Sequence, residues 1–211
     1  LDSRGCQVTF VESRRISRST PPMPLEAVMP SQVGRQGNLP EWYNSRDLDD
    51  GSGLKSFDGL NDALDQLRAF LNDRDDESDE PFDVLMGHSQ GAQLAAILTL
   101  MMESDPSWLK SLRCRWRGLV CLNAPNPFDT EITLSDRARG HGKISTPSLH
   151  VYGEKDFSLE GARKMRDVHF SSSDGGEKAA VREFQHGGGH FPPRDDRGCE
   201  EIVDLIYEMF S

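Results

Sequence analysis

Apolar and polar positions along the chain fall into two kinds of run. Short apolar stretches bounded by polar, Gly or Pro residues read as strands at 7–11, 82–86, 119–122, 149–152 and 180–184. Longer stretches carry helical spacing. Phe57, Leu60, Leu64, Leu67, Phe70 and Leu71 recur at three- and four-residue steps, which predicts one face of an amphipathic helix. Residues 90–102 are apolar nearly all round (Ala92, Leu94, Ala95, Ile97, Leu98, Leu100, Met101), as in a buried helix. A further helix is predicted over 159–168. The last one carries Ile202, Val203, Leu205, Ile206, Met209 and Phe210 on one stripe. Between these lie a loop over 20–30, held out of regular structure by Pro21, Pro22, Pro24 and Pro30, and an irregular polar stretch over 34–53 that contains Trp42 and Tyr43.

Strands that alternate with helices, and that are apolar runs rather than strict alternations, predict an α/β fold. The sheet is expected to be mostly parallel, with helices on both faces. No internal repeat interrupts it, so residues 1–211 are read as a single domain. A chain of 211 residues buries about 70% of its extended surface, enough for one core without disulfides or metals.

Composition narrows the function. Lys and Arg number 24 against 35 Asp and Glu, a net charge of −11, which argues against a nucleic-acid partner, whose affinity comes largely from cations on phosphate. Nearly half of the excess sits in 73–80. This run lacks the alternating ligands and central Gly of a calcium loop and reads as a solvated loop. No apolar run reaches the ~20 residues needed to span a bilayer. Cys6, Cys114, Cys121 and Cys199 are scattered with no CxxC spacing, and no secretory leader pattern is seen, so a reducing, cytoplasmic setting is expected. Cys121, inside an apolar run, is expected to be a buried thiol.

Gly87-His88-Ser89-Gln90-Gly91 matches G-x-S-x-G. The pattern alone is weak, because a Gly-rich turn with an incidental Ser also fits it. Its context decides: a strand runs straight in and a buried helix straight out, which makes a nucleophile elbow. The two glycines are expected where side chains would collide between strand and helix, and Ser89 in a strained conformation that lifts its hydroxyl clear of the sheet. A neutral hydroxyl is a poor nucleophile and needs a base, itself oriented by an acid. The acid is sought in Tyr152-Gly153-Glu154-Lys155-Asp156, directly after a strand; Asp156 is chosen, with Glu154 as the alternative. A turn Asp that caps the next helix would look the same.

Among the six histidines, His150 lies inside a strand, and His141 and His169 sit in polar surroundings. His88 is expected to point away along the elbow, with pocket lining as its candidate role. The base is sought in Gln185-His186-Gly187-Gly188-Gly189-His190-Phe191-Pro192-Pro193, a glycine-rich loop after a strand. His190 is chosen for its reach, with His186 as the alternative. The backbone N–H of Gln90, at the start of the buried helix, is the expected oxyanion donor. Trp42, Tyr43 and Pro125-Asn126-Pro127-Phe128 are candidates for an acyl-pocket wall, or else ordinary packing anchors. No cofactor or metal is implied.

Three segments together, Gly87-His88-Ser89-Gln90-Gly91-Ala92, the stretch from Thr146-Pro147-Ser148 through Gly153-Glu154-Lys155-Asp156, and His186-Gly187-Gly188-Gly189-His190-Phe191-Pro192, resemble the FSH family of serine hydrolases. This is an α/β-hydrolase group that includes fungal thioesterases of polyketide pathways. The resemblance implies Ser89 as nucleophile, Asp156 as acid and His190 as base. It implies a serine hydrolase that cleaves a small-molecule carboxylic ester or thioester through an acyl-enzyme. His88 stands where the family generally carries Phe. The family also opens with a strand that ends in Leu-His-Gly and supplies a second oxyanion donor; no such element is found here. The fold is therefore expected to be N-terminally incomplete. A catalytically inactive, hydrolase-like module that binds a ligand or protein is the alternative function.

Overall fold

The structure, a computed structural model, describes residues 42–48, 55–72, 82–112, 115–128, 143–170 and 181–210. The readings at 7–11, 20–30 and 73–80, and those at Cys6, Cys114 and His141, fall outside these residues.

Four strands form the central sheet. They are β3 (Phe82–His88), β4 (Trp116–Leu122), β5 (Ser148–Gly153) and β6 (Val181–His186), adjacent in that order and all parallel. The register pairs His88 with Leu122, Leu122 with Val151, and Gly153 with His186. The carboxyl ends of the four strands therefore open onto one rim, where ligands bind in open sheets of this type. A separate two-stranded antiparallel ribbon joins β1 (Asn44–Asp47) to β2 (Lys55–Asp58).

Residue parity sorts β4 and β5 between two cores. Leu119 and Cys121 face a large cluster that also takes Leu60, Leu64, Leu67 and Leu71 of α1 (Leu60–Asn72), and Trp116, at the start of β4, joins it outside that parity. Helix α2 (Gln90–Ser104) joins the same cluster and buries every position from Leu94 to Met102, which is why its sequence is apolar all round. Each fully buried Leu here contributes about 1.5–3 kcal/mol by leaving water. Met165 and Ala162 of α4 (Leu159–His169) are buried as well, Met165 in this core. Val120, Leu149 and Val151 point to the other face. There they meet Ile202, Leu205, Ile206, Met209 and Phe210, carried by α5 (Asp196–Glu208) and the turn after it. The sheet is thus parallel and helix-covered on both sides, the α/β arrangement expected.

Three elements differ from the sequence reading. The first helix starts at Leu60; Phe57 belongs to β2, because Gly59 takes a left-handed φ of 84° and turns the chain between them. Residues 44–47, read as irregular, form β1. Its positions are almost all exposed, so no apolar period marks it. The short α3 (Pro106–Ser111) was not read, although its start follows a familiar rule: Asp105 Oδ1 accepts from Ser107 N at 2.9 Å, and Pro occupies the first helical position.

Candidate active site

Ser89 sits on the bend between β3 and α2 with φ 53° and ψ −119°. This is left-handed backbone that an L-residue adopts only when its surroundings impose it. They do so here: Ser89 N donates to Leu122 O at 2.8 Å, and Ser89 O accepts from Ala92 N and Gln93 N at 3.0 and 3.1 Å. Gly87 is required by space, because a Cβ there would lie 2.4 Å from Gly91 O and 2.5 Å from Ala92 N. Gly91 is not. A Cβ at Gly91 would make only ordinary contact, 3.6 Å from Trp42 Nε1, so the expectation that both glycines relieve a collision holds for the first alone.

One side chain from the exit of each of three strands then falls into a hydrogen-bonded series. Ser89 Oγ lies 2.8 Å from His190 Nε2, and His190 Nδ1 lies 2.8 Å from Asp156 Oδ1. A carboxylate only accepts, so Nδ1 carries the proton and Nε2 is left to accept from the serine hydroxyl. The alternatives stand elsewhere. Glu154 is exposed, its backbone N–H donating to His186 O at 2.8 Å. His186 turns back on its own loop, where Nδ1 accepts from Gly188 N at 3.2 Å.

Asp156 is buried and receives four hydrogen bonds. Ser158 N and Ser158 Oγ donate to Oδ1 at 2.7 and 2.8 Å, His190 Nδ1 donates to the same oxygen, and Asn123 Nδ2 donates to Oδ2 at 2.6 Å. The Ser158 N–H contact also makes it the turn Asp that precedes α4, so the two readings of this residue coexist. Burial alone would raise its pKa. The hydrogen bonds from His190, Asn123 and Ser158 together outweigh this and hold it well below the usual carboxylate range.

The two loops are stitched together. Lys155 N donates to Gly188 O at 2.9 Å, and Gly153 lets the loop after β6 approach this closely: a Cβ there would stand 2.3 Å from both Gly188 O and Gly189 O. His88 does not point away. Its Nε2–H donates to His190 O at 3.2 Å, and its ring lies 5.4 Å from that of His190. Burial, then the neighbouring His190, lowers the His88 pKa.

Gln90 follows Ser89. Its backbone N–H is in the first turn of α2, where N–H groups have no partner within the helix. Its side chain is clamped to the segment before β1, accepting from Trp42 N at 2.6 Å and donating to Tyr43 O at 2.7 Å. Trp42 is thereby seated beside the elbow. Tyr43 and Phe128 are fully buried core anchors rather than pocket walls. Tyr43 packs its ring on Phe57 and its hydroxyl on Gln93. Phe157, by contrast, is 69% exposed and rests on the His190 ring at 4.3 Å. His169, expected to be solvated, packs its ring on Phe128 at 4.5 Å. Cys121 is buried, and burial pushes its thiol up to about 12. Among the described residues no cluster of three His, Cys, Asp or Glu is arranged to hold a metal, and no helix is long and apolar enough to cross a membrane.

A parallel sheet covered by helices, with a serine on the sharp bend after one strand and an acid and a histidine on the loops after later ones, is the architecture of an α/β-hydrolase. Acyl-protein thioesterase 2 from Zea mays shares this fold, with a TM-score of 0.51 at 14% identity over 83% of this chain and 74% of that one. The family model described as "Serine hydrolase (FSH1)" matches residues 1–202, and the chain belongs to that family. Two curated relatives bear the name Esterase OVCA2: the Bos taurus protein is 30% identical over 72% of this chain and 60% of its own length, the Xenopus tropicalis protein 32% identical over 54% and 42%. Esterase mlcF of Penicillium citrinum is 32% identical over 32% of this chain and 25% of its own. The chain thus spans between a quarter and three fifths of the relatives it matches.

Proposed function

We propose that the chain acts as a serine esterase or thioesterase, with Ser89, His190 and Asp156 as its catalytic triad. The observation that carries this reading is the unbroken series Ser89 Oγ–His190 Nε2, His190 Nδ1–Asp156 Oδ1, both steps at 2.8 Å. As the hydroxyl oxygen attacks the acyl carbonyl, His190 Nε2 takes its proton. The carboxylate of Asp156, kept ionised by its donors, stabilises the imidazolium and fixes its tautomer. The carbonyl oxygen gathers negative charge beside the Gln90 N–H, at the positive end of α2. His190 returns the proton to the leaving alcohol or thiol. Water, deprotonated by the same imidazole, then releases the acid and restores Ser89. Phe157 and Trp42, at the rim, are apolar surfaces suited to the acyl part of a small-molecule substrate. The free thiols at Cys121 and Cys199 agree with a reducing, cytoplasmic setting.

Hydrolysis of short p-nitrophenyl esters and labelling by a fluorophosphonate test the assignment. The parent hydrolyses the ester and is labelled at Ser89, while Ser89→Ala loses about 10³-fold or more in kcat and all label. A parent protein that neither turns over nor takes label is the inactive binding module instead. Label at another serine sinks the assignment.

A further inference from the structure

One exit from the sheet is not used by the three catalytic groups: that of β4. The residue there is Asn123, fully buried and, with Ser89, one of two non-glycine residues with positive φ among the described residues, at 51°. Its backbone N–H donates to Val151 O at 2.7 Å, which extends the β4–β5 ladder by one step. Its side-chain Nδ2 carries two hydrogens and uses them in two directions: toward Asp156 Oδ2 at 2.6 Å and toward Gly189 O at 3.3 Å, one residue before His190.

We infer that Asn123 is a positioning residue for the reaction, one amide that fixes the acid and the loop of the base relative to each other; the inference rests on the serine-hydrolase reading above. The orientation of the amide is forced. Turned over, its oxygen would face a carboxylate oxygen, acceptor against acceptor. In the orientation taken, Oδ1 is buried with no partner among the described residues. An apolar side chain of similar size would fill the same volume without stranding an oxygen, so packing does not account for an amide here. Asn also suits the position because it tolerates left-handed backbone better than most residues. Asp156 Oδ1 is already occupied by Ser158 and His190, so Asn123 is what holds the second oxygen and stops the carboxyl group from rotating. It also disperses part of the carboxylate's negative charge.

Two variants separate positioning from mere structure, with p-nitrophenyl butyrate as the probe. Asn123→Gly keeps the left-handed backbone and removes only the amide. Asn123→Ala also removes the amide but leaves a Cβ on the left-handed backbone. The other titratable groups near this site, His88 and His186, are unchanged in both. In Asn123→Gly, kcat falls about 10- to 100-fold while KM changes about twofold or less. The acid limb of kcat/KM moves to higher pH, because a carboxylate with one donor fewer favours the imidazolium more. In Asn123→Ala the limb moves the same way, since the same donor is lost. If both variants keep the parent's kcat and acid limb while Ser89→Ala is inactive, the positioning role is wrong and the triad stands. A loss of kcat with an unmoved limb in both also overturns it, since general loosening gives that result. If Ser89→Ala stays active, the serine-hydrolase reading fails and this one falls with it. Should Asn123→Gly not fold, the acid limb of Asn123→Ala decides alone.

Discussion

Ser89 carries its strain in the backbone, so stability and activity pull against each other at a single residue. Left-handed backbone of this kind costs on the order of 1–3 kcal/mol for a side chain with a Cβ. Glycine occupies it freely and gives back roughly 0.5–1 kcal/mol through the greater freedom of the unfolded chain. Ser89→Gly is therefore expected to unfold about 1 kcal/mol later than Ser89→Ala in urea, while both are inactive. Equal midpoints, or an earlier one for glycine, would show that the bend is not strained. This residue was legible in the sequence because two independent signals met on it, the glycine pattern and the strand-to-helix context. Asn123 was not. Its importance comes from where the end of β4 delivers it, and an Asn after a strand reads as an ordinary turn residue until Asp156 and Gly189 are seen beside it.

Between elements, the decisive contact is the crossing of the loop after β6 over the end of β5. The glycine-rich loop brings His190 to Ser89, yet the residue that makes room is in the other strand, at Gly153. A methyl there meets two backbone carbonyl oxygens at 2.3 Å, and backbone cannot step aside as a flexible side chain can. Gly153→Ala should therefore push the loop off its seat and lower kcat/KM about 100-fold, while the circular dichroism spectrum stays native. Gly187→Ala, whose Cβ would meet nothing within 4 Å, is the matched control and should retain activity. Equal activities for the two variants would mean that the crossing adapts. Of the strands that build this crossing, β5 was readable because Leu149, Val151 and Tyr152 make it an apolar run. The ribbon of β1 and β2 was not, since Phe57 is its one buried position and its spacing to Leu60 mimics a helical step. The six residues of α3 are too few to show a period, though Asp105-Pro106 marked its start.

Across the whole molecule, the two-faced sheet has a consequence for pH. The apolar runs made the buried strands legible, but not what a polar residue inside one of them would experience. His150 is such a residue, on the β5 face covered by the larger core. It is 1% exposed, with Nε2 3.1 Å from Ser148 Oγ and its ring edge-on to Phe170 at 4.6 Å. Burial, reinforced by the Arg166 cation and only partly countered by Asp167, pushes its pKa down to about 3. Unfolded, the same imidazole titrates at its ordinary value of about 6.5. Between these values the unfolded chain binds a proton that the folded chain refuses, so folding stability is full above pH 6.5 and falls as the pH drops toward 3. From pH 7.5 to 5 the loss from this one group is about 2 kcal/mol. His88 and His186, both also held low by burial, act in the same sense from the rim. Carboxylates with lowered pKa values, such as Glu103 and Asp156, add their own loss only at more acid pH. His150→Gln keeps a polar partner for Ser148 but cannot titrate. In urea unfolding at pH 7.5 and pH 5, the parent should lose more stability than His150→Gln, by about 2 kcal/mol. If the two proteins lose the same amount across that interval, the buried imidazole is not the source of acid sensitivity, and the rim histidines are left to account for it.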